Sequence, residues 1–496
     1  FQKYYIDKGC VILEDIKGKV LSNFIWRFLE RSGAQIVQLV VSIVLARLLA
    51  PTDYGTIALM NVFISVLGIF VHCGLTSALI QKKDADDTDF STVFYAQMLF
   101  CIVIYIILFI SAPYIAQFYN DPQMTWMIRV LGLTLIIAGV KSIQTAYVSR
   151  NMQFKRFFFA TLGGTIGAAF VGIGLAVAGF GAWALIGQSL FNNTVDTIIL
   201  WVTVKWKPKR VFSFQRLKGL FSYSWKLLFS SLLDTVYNNL RSLIIGKVYS
   251  SKDLAFYNRG QSWPNLIIEN VNSSIDSVLF PSMSASQSDR ERVKMMTRRA
   301  IKTSTYVIAP LMMGLAFCGT PLVRLVLTEK WLFCVPFQVI FCITYMFYPI
   351  HTANLNAIKA MGRSDLFLKL EIIKKIVGLI ALAITVPISV MAMGYSLLVT
   401  SVLGQIINSW PNKRLLNYGY LEQVKDILPG IALAVGMGIC IYPIQYLGLP
   451  DIITLVTQVV AGAIIYIGGS ALFKLESFLY LLNMVKGIRK KTKSLE

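Results

Sequence analysis

The chain has 496 residues, 56% of them hydrophobic and 15% charged, and 47 Lys and Arg against 25 Asp and Glu give a net charge of +22. Mean hydropathy is +0.63, and apolar runs recur along nearly the whole length, which excludes a soluble enzyme and marks a polytopic helical membrane protein. In a soluble protein the positive balance would suggest nucleic acid; here it gathers in the links between apolar runs, so it implies orientation and contact with membrane lipids, and no nucleic acid.

The first segment is polar and lacks the short apolar core of a cleavable signal peptide; residues 1–17 form an unassigned extension. The stretch SNFIWRFLERSGAQIVQLVVSIVLARLLAPTDYG, from Ser22 to Gly55, is long and apolar enough to cross a bilayer. Yet Arg27, Arg31, Gln35, Gln38 and Ser42 recur at helical steps, within roughly 80° of one another. A charge near the bilayer centre costs about 2.5–3.5 kcal/mol on insertion scales, so such a stripe should turn away from lipid. Two readings stand. The arginines snorkel to the headgroups, or the stripe, which continues to Ser42, lines a hydrated cavity.

About fourteen spans are expected, near 22–49, 55–80, 91–117, 124–147, 157–179, 181–204, 220–249, 254–283, 299–327, 332–359, 365–390, 393–415, 427–447 and 452–474. With the N-terminus inside, about 32 Lys and Arg fall on cytoplasmic segments against about three outside (Lys252, Arg259, Lys330), so both termini are expected to be cytoplasmic. The second span aligns Asn61, Ser65, His72 and Thr76 on one face. GGTIGAAFVGIGLAVAGFG, at 163–181, lies inside a span with no strand before it, so its small residues four apart read as helix packing and not as a nucleotide loop. Gly430, Ala434 and Gly438 read the same way.

The chain also repeats itself. WRFLE at 26–30 returns as WKLLF at 225–229, and ARLLAPTDYG at 46–55 aligns with GKVYSSKDLA at 246–255. The stripe returns on the seventh span as Lys226, Ser230, Asp234, Tyr237 and Arg241. Two parallel six-helix repeats around a central cavity, with two further C-terminal helices, are therefore expected in an all-α membrane fold. The expected divisions are 18–205, a basic linker 206–219, 220–415, two helices within 416–480, and a basic tail 481–496. On the eighth span Asn258, Asn265, Glu269, Asn272 and Asp276 fall within roughly 60°. Its acids suit a proton or cation site, with Asp234 or Asp196 able to join them; the alternatives are ion pairs with Lys226 or Arg241, or a wet wall. The seven cysteines are scattered without metal-ligand spacing, and no nucleophile motif appears. The outer loops are short, which counts against a glycan-assembling enzyme.

LARLLAPTDYGTIALMNVF at 45–63, GLTSALIQ at 74–81, LAFYNRGQSWPNL from 254 and SVLFPSMSASQSD to 289 together resemble the polysaccharide-transport flippases. These form the Wzx-type, colanic-acid-exporter-like branch of the multidrug/oligosaccharidyl-lipid/polysaccharide (MATE-like) superfamily, and the likeness spans essentially residues 18–480. It implies transfer of an undecaprenyl-pyrophosphate-linked oligosaccharide from the inner to the outer leaflet of a bacterial inner membrane, for export of surface polysaccharide. Lipid II flippases of this superfamily use basic residues on the first and eighth helices; here the eighth carries acids, with Arg259 only at its outer end, a departure from that pattern. On this reading Arg27, Arg31 and Lys226 hold the pyrophosphate, while Gln35, Gln38, Asn61, Asn238 and Arg241 line the cavity. Asp234, Glu269 and Asp276 are candidates for H+ or Na+ coupling, and no cofactor or metal is expected. Other polysaccharide-assembly membrane proteins are candidate partners. Three other classes compete: an ion-coupled drug antiporter, which would want an acidic cavity without the basic first-helix stripe; a membrane enzyme of glycan assembly; and a non-transporting scaffold.

Overall fold

A computed structural model describes residues 26–27, 29–72, 74–82 and 84–493. The expected N-terminal extension lies outside the described residues. The chain separates into two compact units, Phe1–Lys252 and Asp253–Glu496.

The first unit contains α1 (Leu29–Leu48), α2 (Pro51–His72), α3 (Leu75–Gln81), α4 (Asp87–Phe118), α5 (Met124–Arg150), α6 (Lys155–Val177), α7 (Ala182–Thr203) and α8 (Phe214–Val248). The glycine-rich run forms the seam between α6 and α7. A Cβ at Gly167 would come 2.6 Å from the Phe191 ring, and one at Gly172 would lie 3.0 Å from Gln188. Only hydrogen side chains let these two helices approach so closely. One core gathers Val41, Leu45 and Leu49 of the α1 arm with Ala176 and Ala184. A second joins Leu75, Leu79, Phe90, Ile143, Phe157 and Trp206.

The link from α7 to α8 is fastened across the start of α4. Asp86 caps that helix in a capping box with Asp89. Trp206 Nε1 donates to Asp87 at 2.9 Å, and Lys209 pairs with the same carboxylate at 2.6 Å. Arg216 reaches Asp86 at 2.5 Å, and buried Asp89 is paired with Lys82 at 2.6 Å. The hydrogen bond from Arg216 holds the Asp86 carboxyl down at about 2. By contacts α8 belongs with this unit: a Cβ on Gly246 would meet Leu59 of α2 at 2.3 Å, and just beyond α8 the Ser251 carbonyl would overlap a Cβ on Gly55.

The second unit contains most of α9 (Ser251–Ser284), then α10 (Arg290–Phe317), α11 (Gly319–Leu327), α12 (Val335–Met346), α13 (Tyr348–Ala360), α14 (Ser364–Thr385), α15 (Val390–Leu415), α16 (Tyr420–Ile441), α17 (Asp451–Leu472) and α18 (Glu476–Lys493). A short 3-10 turn, Glu329–Cys334, leads into α12, and α12 and α13 are one span broken before Pro349. Tyr306, Ile308, Met312 and Met313 of α10 pack with Cys342, Ala434 and Tyr466. Gly438 is another close approach, since a Cβ there would meet the Phe317 ring at 2.2 Å.

Ten helical segments are long and apolar enough to cross a membrane among the described residues. The helices α7, α8, α9 and α14 are of comparable length or longer but fall outside that set. Counting them, the described residues hold fourteen long segments, consistent with the expected fold. No strand occurs among these residues.

Candidate functional site

The polar stripe of α1 has a definite place on the helix. One side, through Val37, Val41 and Leu45, packs on α6 and α7. Ile36 and Val40, 63% and 55% exposed, form an apolar outer face with Leu29. Arg31, Gln35 and Gln38 are also exposed, but at 100° per residue they point roughly 150° away from that apolar face. The helix therefore offers lipid one surface and something polar the other. Ser42 ends the stripe, its hydroxyl donating to the Leu39 carbonyl at 2.9 Å.

The two arginines differ. Arg27 is already engaged: it pairs with Glu30 at 2.6 Å and lies over the rings of Phe157 and Phe154, at 5.1 and 5.6 Å. Glu30 is buried, and its other oxygen accepts from Thr161 of α6 at 3.3 Å. Arg27 thus fastens the start of α1 to α6. Arg31 is exposed and has no ion-pair partner among the described residues.

Asn61 is exposed on α2. On α8, Ser230, Asp234 and Asn238 are exposed while Tyr237 and Arg241 are half-buried. Asp234, Tyr237 and Arg241 each have an interaction partner. The Lys226 side chain lies outside the described residues.

In the second unit the α9 stripe is bonded along α12 and α13. Gln261 donates to Tyr345 at 2.8 Å, Thr352 to Asn272 at 2.9 Å, and Asn356 to Asp276 at 2.6 Å. Glu269 is exposed and accepts from Asn265 at 2.7 Å. Neither acid has an ion-pair partner among the described residues. No group of three or more His, Cys, Asp or Glu could hold a metal among the described residues.

The structure adds polar contacts that sequence reasoning did not assemble. Asp196 of α7 pairs with Lys141 of α5 at 3.0 Å. Asn354, Asn412 and Gln423 form a buried amide knot, with contacts of 2.6 to 3.0 Å. His351 meets Asn408 at 2.9 Å, near a Lys374–Glu371 pair on α14. Each joins residues far apart in the chain or on different helices, apart from the last pair, whose i,i+3 spacing was the one readable signal.

The fold and the family match define a class. The chain is similar to a solved structure of the lipid II flippase MurJ in an inward closed conformation, with a TM-score of 0.71 at 16% identity, covering 90% of this chain and 98% of that one. Residues 44–336 match the family model described as "Polysaccharide biosynthesis protein", and the chain belongs to that family. The ten span-length apolar helices among its described residues make it a polytopic membrane member of that family. Among curated relatives, the succinoglycan biosynthesis transport protein ExoT of Rhizobium meliloti is 25% identical over 64% of this chain and 64% of its own length. The teichuronic acid biosynthesis protein TuaB of Bacillus subtilis is 21% identical over 92% of this chain and 96% of its own.

Proposed function

We propose that this protein flips an oligosaccharide, linked through pyrophosphate to an undecaprenyl carrier lipid, from the inner to the outer leaflet of a bacterial inner membrane, for export of surface polysaccharide. The observation that carries the reading is the α1 face: an exposed guanidinium at Arg31, with no ion-pair partner among the described residues, and two amides, on a span-length helix of a polysaccharide-family chain, turned away from its exposed apolar side. A pyrophosphate brings about two to three negative charges, and a unit pair 4 Å apart attracts by about 4 kcal/mol at an effective dielectric near 20. Guanidinium forks suit its oxygens.

Arg31 makes the anion contact, Arg27 positions the helix and contributes charge, and Lys226 supplies the repeat-related cation. Gln35, Gln38, Asn61, Asn238 and Arg241 face the glycan, and the prenyl tail stays in lipid. Basic loops put both termini in the cytoplasm. Glu269 and Asp276, with Asp234, couple transport to H+ or Na+, by alternating access of two parallel six-helix repeats. The deciding experiment deletes the gene and identifies the lipid-linked sugar that accumulates in the inner leaflet. Accumulation restored to normal by the wild-type gene supports the reading; unchanged precursor and surface polysaccharide would refute it.

A further inference from the structure

An open groove of about 540 Å3 runs between α2, α4 and α8 in the first unit, its walls distinct from the α1 stripe. Its size falls in the roughly 300–1,000 Å3 range of small-ligand sites. Phe63, Tyr114, Ile115, Phe118, Leu243, Ile244 and their neighbours make its walls almost wholly apolar. Two of the hydroxyls there are occupied: Ser111 donates to the Leu108 carbonyl at 3.1 Å, and Tyr119 to that of Leu243 at 3.4 Å. The charged group of the lining is Lys247, at the rim. Its ammonium donates to the Phe118 carbonyl and sits 4.2 Å from the centre of the Phe118 ring. It is exposed, and no carboxylate pairs with it among the described residues.

An apolar trough ending at one cation is complementary to an amphiphile with an anionic head. Two features select among such lipids. Aromatic rings of Phe63, Tyr114, Phe118 and Tyr119 line the trough, and flat rings pack well on planar, methyl-bearing double bonds, which isoprenoids carry at every repeat and saturated acyl chains lack. The trough also continues from the polar stripe of α8, since Ile244 and Val248 follow Arg241 by one and two turns. A lipid with a large polar head could lie against both.

We propose that this groove is a second binding site for the carrier lipid, taking the phosphate-proximal isoprenoid segment with Lys247 on the phosphate. It rests on the flippase reading above and places a tail site at the α8 end opposite the basic linker, where delivered lipid would leave. The test is photocrosslinking of the full chain in phosphatidylcholine nanodiscs. The probe is a polyprenyl monophosphate with a diazirine near the phosphate, and phosphatidylglycerol with a diazirine on its acyl chain is the control. Adducts are expected on residues 111–119 and 243–248, suppressed by excess unlabelled polyprenyl monophosphate. Lys247→Ala should cut labelling roughly tenfold, the scale of one charge-assisted contact, and Lys247→Arg should restore it. Ile244→Trp, which fills the trough, should suppress labelling without loss of the cation. Polyprenyl adducts confined to α1 or elsewhere would overturn the groove site and leave the flippase reading standing. Equal labelling by phosphatidylglycerol would overturn it too. Absence of specific polyprenyl adducts anywhere on folded protein would sink both.

Discussion

Replacing Arg27 and Arg31 one at a time separates a structural cation from a binding one. Removing the Arg27 side chain takes away a part-exposed ion pair, about 0.2–1 kcal/mol, and two cation–π contacts of about 0.5–1 kcal/mol each at such sites. It also leaves Glu30, 7% exposed, with only the Thr161 hydroxyl among the described residues, and an under-satisfied buried acceptor costs about 1–3 kcal/mol. These terms overlap, so about 2 kcal/mol is a fair expectation. At about 2–4 °C per kcal/mol for a domain of this size, Arg27→Ala should melt roughly 4–8 °C lower. Arg31 has no such contacts among the described residues, so Arg31→Ala should shift melting by no more than about 0.5 kcal/mol equivalent. Its effect should fall on the ligand: losing a charged hydrogen bond of about 1.5–3 kcal/mol weakens binding roughly ten- to a hundredfold. Arg31→Lys, which keeps charge but loses the fork, should be intermediate. The assays are thermal melting of purified protein and binding of undecaprenyl pyrophosphate, with surface polysaccharide measured per membrane-inserted protein. If Arg31→Ala binds normally, or the two variants melt alike, the division of labour is wrong.

Three further outcomes follow from the same geometry. With native cysteines removed, a cysteine at Thr52 or near Gly448 should react with impermeant reagents in intact cells, while cysteines in 205–219 or 289–299 should be shielded; the reverse would invert the topology. Glu269→Gln and Asp276→Asn should alter the pH or sodium dependence of transport, with Asp276→Asn also disturbing the bond from Asn356; unchanged ion dependence in the double mutant would leave them structural. Asp86, held at about 2 by Arg216 against an ordinary 3.8, contributes stability that is present above pH 3.8 and lost as pH falls towards 2. At neutral pH Arg216→Gln should therefore loosen the α7–α8 link, read as faster hydrogen exchange at 204–213, and unchanged protection there would show that Trp206 and Lys209 suffice.

Periodicity made the stripes legible, because the steps between Arg27 and Ser42 fix their common face whatever surrounds the helix. The small-residue run at 163–181 was legible for a similar reason: residues four apart with no side chain have one strong use between membrane helices. What a stripe cannot say is which of its members is already spoken for. Glu30 stands three residues from Arg27 in the sequence, but only the fold shows that it is buried against Thr161 and that the guanidinium lies over Phe157 and Phe154.

The same limit explains the α8 end. The alignment of 46–55 with 246–255 sets Lys247 opposite Arg47, each near the end of a span, and sequence alone offers snorkelling as an account of such a cation. Snorkelling needs only an apolar stem and a nearby headgroup region, and so says nothing about the surface beside the stem. That surface exists because Phe63 of α2, Tyr119 just past the end of α4 and Leu243 of α8 together wall an open trough. A cation at the end of an apolar trough differs from a cation at the end of a packed helix. It can hold the head of a lipid whose tail the trough already receives, and a trough with no cation would hold a tail with no preference for its charge.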